Sequence, residues 1–365
     1  VWALAVLVLA GFQAHAADSG SVITPEAELL RPDPFAGMHA VEMPWIRRLQ
    51  GWEGQGRLMT VVSDLGPGKP MLAAIGVLLC LAGPRFAGRL AVMLVLCLWG
   101  RELLAMILQS PRPYWFGADI RTFRDPPLGT PTFGLPSGHA TAAAAVWFFA
   151  AAEVRRWWAW AVAVLVVVAV GVSRVYLGVH FISDVLLGTV LGTLGMAGFR
   201  AVEPGIRDAW MARSPRHRLG WAVAIGLGLL TVSAVVQVWV MRSVPEGVWA
   251  PYGVTARVSS GSVWSAGALC GMALAAVAPV GWATAGDRWR WRWQRLALAA
   301  LPAAVYLGRP DEWRLSAVLG DAGTGLKWVV RFLAATVMGW AALGLLPRAV
   351  RWLGWVPGSK RACQG

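Results

Sequence analysis

Along the chain, apolar runs alternate with short polar, Arg-rich or Pro/Gly-rich breaks. The runs lie near 69–83, 90–108, 138–153, 157–173, 180–198, 219–241, 261–284, 296–307 and 327–346. A helix needs about 20 apolar residues to cross a bilayer, and all but the first and eighth runs come near that length. The pattern predicts an all-α fold, a polytopic membrane helical bundle. Two earlier stretches differ. Residues 1–16 are a short apolar run ending Ala-His-Ala before Ala17 and Asp18. They read as a secretory signal peptide cut after Ala16, with an uncleaved anchor as the alternative. In the segment 17–68, Trp45, Ile46, Leu49 and Trp52 recur at helical spacing against Arg47, Arg48 and Glu53. This predicts an amphipathic helix in the plane of the interface, packed on the bundle as a lid.

Composition sharpens the picture. A hydrophobic content of 57% over 365 residues excludes an ordinary soluble domain. The net charge of +14 would suggest nucleic acid in a soluble chain, but here the Arg residues fall between apolar runs, as the positive-inside rule requires. The loops assigned inside carry Arg85, Arg89, Arg155, Arg156, Arg200, Arg207, Arg213, Arg216 and Arg218; those assigned outside carry Asp119, Asp125, Glu246, Asp311 and Glu312. The alternating Arg and Trp of 288–295 read as an interfacial anchor on anionic lipid, so no nucleic-acid partner is expected. Cys80, Cys97 and Cys270 sit inside apolar runs and Cys363 in the basic tail; neither a disulfide nor a metal cluster is expected. The expected location is the inner (cytoplasmic) membrane of a bacterial-type cell.

Three polar clusters interrupt this apolar background at run boundaries. Arg112, in Ser-Pro-Arg-Pro-Tyr-Trp, offers a planar donor fork suited to phosphate oxygens. Leu135 to His139, Leu-Pro-Ser-Gly-His, precedes an Ala-rich run and places Ser137 and Gly138 at a helix start, where N–H groups and the dipole favour an anion. Ser173 to Asp184 reads Ser-Arg-Val-Tyr-Leu-Gly-Val-His-Phe-Ile-Ser-Asp. Its His180 and Asp184, four apart, are predicted to share one helical face. Asp184 would accept one ring N–H and leave the other nitrogen's lone pair free as nucleophile or base.

The order Arg-Pro, Pro-Ser-Gly-His, then Ser-Arg followed by a His and an Asp resembles the type 2 phosphatidic acid phosphatase (PAP2) superfamily over roughly residues 40–200. That superfamily includes lipid phosphate phosphatases, glucose-6-phosphatase and the vanadium haloperoxidases. The resemblance implies a catalytic core at 69–200, with a carboxy-terminal transmembrane region of unassigned role at 201–365. It implies that His180 attacks phosphorus, Asp184 orients it, and His139 protonates the leaving oxygen and then activates water. Arg112, Ser137, Gly138, Ser173 and Arg174 would hold the phosphoryl oxygens. The expected reaction is hydrolysis of a membrane lipid phosphate without metal or cofactor, on the outer side. A phosphotransferase with the same His-His-Asp core is the alternative, and a homo-oligomer is left open.

One position departs from the family pattern. The Lys expected seven residues before Arg112 is Ala105. Arg101 lies one turn earlier, but helical side chains lean toward the N-terminus, so Arg101 is expected to point away from the site. Arg121 and Arg124 are the expected stand-ins on reach. As sequence neighbours, Arg101 and Glu102 are expected to find separate partners in the bundle.

Overall fold

The computed structural model describes residues 33–66, 84–115, 119–123, 132–243, 260–277 and 324–340. The expected signal segment, the runs near 69–83 and 296–307, Arg124 and the Arg/Trp run after 288 lie outside them. Among the described residues there are nine α-helices and no strands: α1 Ala36–Gln50, α2 Gly56–Ser63, α3 Pro84–Leu108, α4 Gly138–Val154, α5 Trp157–Tyr176, α6 Ile182–Met211, α7 Pro215–Ser243, α8 Ser260–Ala275 and α9 Thr324–Trp340. The stretches Gly88–Trp115, Trp157–Tyr176, Ile182–Met211 and Pro215–Val240 are long and apolar enough to cross a membrane. The chain is a polytopic helical membrane protein.

The bundle is organised around α4, which packs on α3, α5 and α6. Ala142, Ala143, Ala144 and Ala145 are all fully buried, as suits a helix apolar on every side. Methyl side chains let neighbouring backbones approach closely, and α6 answers with glycine. A β-carbon on Gly188 would lie 2.6 Å from the Ser137 carbonyl oxygen, and one on Gly192 would collide with that of Thr141. The outer faces of α5 and α6 carry exposed Leu165, Val168 and Leu186, the pattern of helices facing lipid.

Helix α6 runs through Pro204 to Met211, well past the run ending near 198. Its Arg200 and Glu203 join Arg89 of α3 and Glu153 of α4 in a cluster of ion pairs. These residues lie near the start of α3 and the end of α4, so they mark one end of the bundle. The polar motifs lie at the other.

The carboxy-terminal helices form their own packed set, α8 against α7 and α9, around Val263, Ala266, Cys270 and Phe332. They meet the core through α3, where Trp99 Nε1 donates to Ser233 Oγ at 3.0 Å.

Helix α1 buries part of the expected face, with Ile46 enclosed and Leu49 packed beside it, but its buried stripe is turned from the one expected. Its buried residues are His39, Met43, Ile46 and Gln50, whereas Trp45 and Trp52 are 58% and 60% exposed. The buried stripe repeats every three or four residues, as a packed helix requires. Two of its four members are polar, which hides it from a hydrophobicity pattern.

Candidate active site

Successive helices run in opposite directions, so the end of α3, the start of α4, the end of α5 and the start of α6 share one end of the bundle. Arg112, just beyond α3, is fixed by two carbonyl oxygens and one hydroxyl. Its Nε donates to Thr132 O at 2.6 Å, Nη2 to Thr132 Oγ1 at 3.1 Å and Nη1 to Val179 O at 3.1 Å. The same Nη1 lies 3.4 Å from His180 Nε2.

His180 precedes α6 instead of standing on it; the helix begins at Ile182, with Phe181 as N-cap. The shared helical face is therefore replaced by a turn. Asp184 Oδ2 accepts both the Phe181 N–H at 3.0 Å and His180 Nδ1 at 3.1 Å, so one carboxylate caps the helix and orients the imidazole. With the proton on Nδ1 given to Asp184, Nε2 holds the lone pair beside Arg112. The turn delivering His180 depends on Gly178, whose φ of +68° is left-handed. His180 is 2% exposed. Burial first, and then the facing Arg112, Arg174, Arg101 and His139, hold its pKa well below the ordinary 6.5.

At the start of α4, Ser137 Oγ accepts the Ala140 N–H at 3.5 Å, and the Ser137 N–H donates to Asp184 O at 2.9 Å. Those bonds use two of the N–H groups at this helix start, where the dipole favours an anion. His139 is half-buried in the same turn. Ser173 is buried, and its hydroxyl donates to Val170 O at 2.6 Å. Arg174 Nη1 donates to Ser63 Oγ at 2.7 Å. Ser63 ends α2, and a β-carbon on the nearby Gly66 would lie 3.2 Å from His139 Cδ2. The turn after α2 therefore walls the site on the side of Arg174 and His139.

Several supporting residues escaped the sequence reading. His39 of α1 stacks on Phe181, with ring centroids 3.7 Å apart and planes 4° from parallel. Its Nδ1 meets Asp33 Oδ2 at 2.5 Å and its Nε2 meets Ser110 Oγ at 3.5 Å. Serine, histidine and aspartate in this order resemble a hydrolase triad, but Ser110 and His39 are fully buried, so the arrangement braces the Arg112 loop and Phe181. Glu42 accepts from Ser183 N–H and Oγ at the start of α6, where a carboxylate is favoured. Gln50 Nε2 bridges the carbonyls of Arg121 and Tyr176. The one sequence signal for these was Asp33 and His39, a second His and Asp within two turns.

Two expectations about the cations are overturned. Arg101 does not point away: its Nε donates to Pro136 O at 2.7 Å and Nη2 to Phe133 O at 3.3 Å, both in the loop leading to Ser137. That loop folds back along α3 and meets the side chain where it leans. Nor do Arg101 and Glu102 find only separate partners. Arg101 Nη1 donates to Glu102 Oε1 at 2.7 Å, because the long guanidinium stem curls toward its neighbour. The Arg121 backbone is tied to Gln50. The described residues hold no group of three or more His, Cys, Asp or Glu able to bind a metal ion.

Comparison with known proteins bears on residues around these motifs. Residues 86–206 match the family model described as the PAP2 superfamily. Glucose-6-phosphatase 2 of Homo sapiens is 26% identical over 176 residues, covering 40% of this chain and 48% of the human protein. Phosphatidylglycerophosphatase B of Bacillus subtilis (strain 168) is 29% identical over 167 residues, covering 42% of this chain and 73% of its own length. The match thus spans less than half of the human relative. No solved structure matches the chain. Arg112, the Pro-Ser-Gly-His helix start and the Arg174 to Asp184 turn all lie within residues 86–206, the stretch that matches the PAP2 superfamily.

Proposed function

We propose that the protein is an integral membrane phosphatase that hydrolyses a lipid-linked phosphate monoester or diphosphate through a phosphohistidine, without a metal. The observation carrying this reading is His180, bonded to Asp184 through Nδ1 at 3.1 Å, with Nε2 3.4 Å from the Arg112 fork. In the first step Nε2 attacks phosphorus in line. The bond to the leaving oxygen breaks, and His139 gives that oxygen its proton. Arg112, Arg174 and the Gly138 N–H meet the equatorial oxygens, where charge must be stabilised. In the second step neutral His139 takes a proton from water, the hydroxide attacks phosphorus, and the P–N bond breaks to restore His180. The charge pattern of the loops supports a site outside the cytoplasm, at headgroup depth. Phosphatidylglycerophosphatase B, by its name, acts on a lipid phosphate, which supports a lipid substrate here.

The test is inorganic phosphate release by detergent-purified protein over a panel of lipid phosphates and one soluble sugar phosphate, with His180→Ala as the blank. Release lost in the variant supports the reading. Products carrying the phosphoryl group on an added lipid or sugar acceptor, without release to water, would establish the phosphotransferase instead.

Two further outcomes are expected. His180 must be neutral to attack and His139 protonated to serve as acid, so activity falls at both pH extremes. Because burial and four facing cationic or cation-forming groups depress His180, the acid limb of kcat/KM lies below pH 6.5. A limb above that value would remove His180 as the group titrating there. Ser63→Ala withdraws the oxygen that holds Arg174 Nη1. Loss of one such bond, about 1 kcal/mol, should raise KM several-fold while kcat changes little, as steady-state kinetics would show.

A further inference from the structure

Arg101 and Glu102 lie inside a span, where ionised groups carry a high cost and need partners. Arg101 is 4% exposed, and its fork is spent in two directions. Nε and Nη2 donate to Pro136 O and Phe133 O, the two carbonyls that shape the loop into Ser137, Gly138 and His139. A β-carbon on Gly138 would lie 3.4 Å from Arg101 Nε and 3.6 Å from the guanidinium carbon, so the cation sits directly beneath the helix start offered to phosphate. Nη1 donates to Glu102 at 2.7 Å.

Glu102 continues the chain of contacts outward. A β-carbon on Gly261 would come within 2.8 Å of the Glu102 carboxyl carbon and 3.1 Å of Oε1. Gly261 is the second residue of α8, so the carboxylate lies against that helix's amino-terminal turn, where the dipole favours negative charge. Helix α8 is itself held by α7 and α9. Ala105, which stands where the family pattern has a lysine, is sealed among Leu103, Met106, Trp115 and Phe133. It leaves Arg101 as the α3 cation that reaches the loop.

We propose that Arg101 is a positioning residue of the phosphate cradle, held in place by Glu102 and the start of α8, so that the carboxy-terminal helices form part of the framework of the active site. The proposal rests on the phosphatase reading above. Arg101 acts by fixing two loop carbonyls and by adding positive charge under Gly138 and near His180; it touches no reacting atom.

The full chain, purified in detergent, is compared with Arg101→Gln, Arg101→Lys and Glu102→Gln. Phosphate release is followed against pH, and binding of inorganic phosphate is measured separately by calorimetry. Arg101→Gln should lower kcat/KM by about 100-fold, the scale of losing one preorganised electrostatic group, and weaken phosphate binding. It should also move the acid limb of kcat/KM upward. His180 would then be faced by Arg112 beyond α3, Arg174 of α5, His139 of α4 and Asp184 of α6, with one cation fewer. Arg101→Lys keeps the charge but not the planar fork, so the acid limb should return to its wild-type place while kcat recovers only in part. Glu102→Gln should reduce kcat/KM in the same direction, by less.

Wild-type kcat/KM and phosphate affinity in Arg101→Gln would overturn the proposal. So would equal losses in Arg101→Gln and Arg101→Lys with an unmoved acid limb, the mark of a merely structural residue. Should Arg101→Gln not fold, Arg101→Lys and Glu102→Gln decide, and wild-type kinetics in both overturn it. If the wild-type chain released phosphate from no substrate, the phosphatase reading would fail, and phosphate affinity alone would then judge Arg101.

Discussion

His180→Ala is expected to lower phosphate release by about five to six orders of magnitude, the scale seen when a nucleophile is removed from a group of residues that act as a unit. In the proposed mechanism alanine removes the atom that forms the P–N bond, Nε2 beside Arg112, while the cradle survives, because Arg112 keeps its bonds to Thr132 and Val179. Binding of inorganic phosphate should therefore change far less than turnover. Single-turnover experiments with labelled substrate supply the check: the wild type should retain acid-labile label on the protein, and the variant none. Label retained by the variant would place the nucleophile elsewhere.

Asp184→Asn should cost about 10²- to 10³-fold in kcat, the scale of removing one preorganised electrostatic group from a site. The substitution keeps the volume of a fully buried side chain and changes one atom. The Phe181 N–H and His180 Nδ1 both bond Oδ2, so the asparagine oxygen can take that place and keep the tautomer. What is lost is the negative charge that balances the imidazole as it becomes cationic on attack at phosphorus. KM should move little, since Asp184 makes no contact with phosphate in this mechanism. Steady-state kinetics on protein with an unchanged thermal midpoint would test it; an unchanged kcat would mean that Asp184 only caps α6.

Much of the architecture was legible because a bilayer imposes a length scale. The described helices α3 to α9 coincide with expected runs, differing mainly at their ends, as with α6 continuing through Pro204. The helix start at Gly138 was legible because Ser137, a strong N-cap residue, stands directly before an Ala-rich run. What failed were inferences that treated a helix as isolated. Arg101 was expected to lean away from the site, and its side chain does lean, but the loop from Phe133 to Pro136 returns along α3 to meet it. His180 was placed on the helix that Asp184 occupies, whereas Asp184 caps that helix and receives His180 from before it. In α1 the stripe His39, Met43, Ile46 and Gln50 faces inward because its polar members have partners waiting on Asp33, Ser110, Arg121 and Tyr176. Hydrophobicity along a single helix carries no record of such partners.

The alanine core of α4 has a consequence for how this chain tolerates change. Ala142 to Ala145 are already the smallest side chains that build a stable helix, and each is fully enclosed. Nothing can be trimmed from them, so the familiar remedy of shortening a side chain to relieve a clash does not exist here. Every replacement other than glycine adds volume against a backbone, in a region that also carries His139 at one end. Substitutions should therefore be accepted on the outward sides of α5 and α6, where Leu165, Val168 and Leu186 are exposed, and rejected in the helix between them.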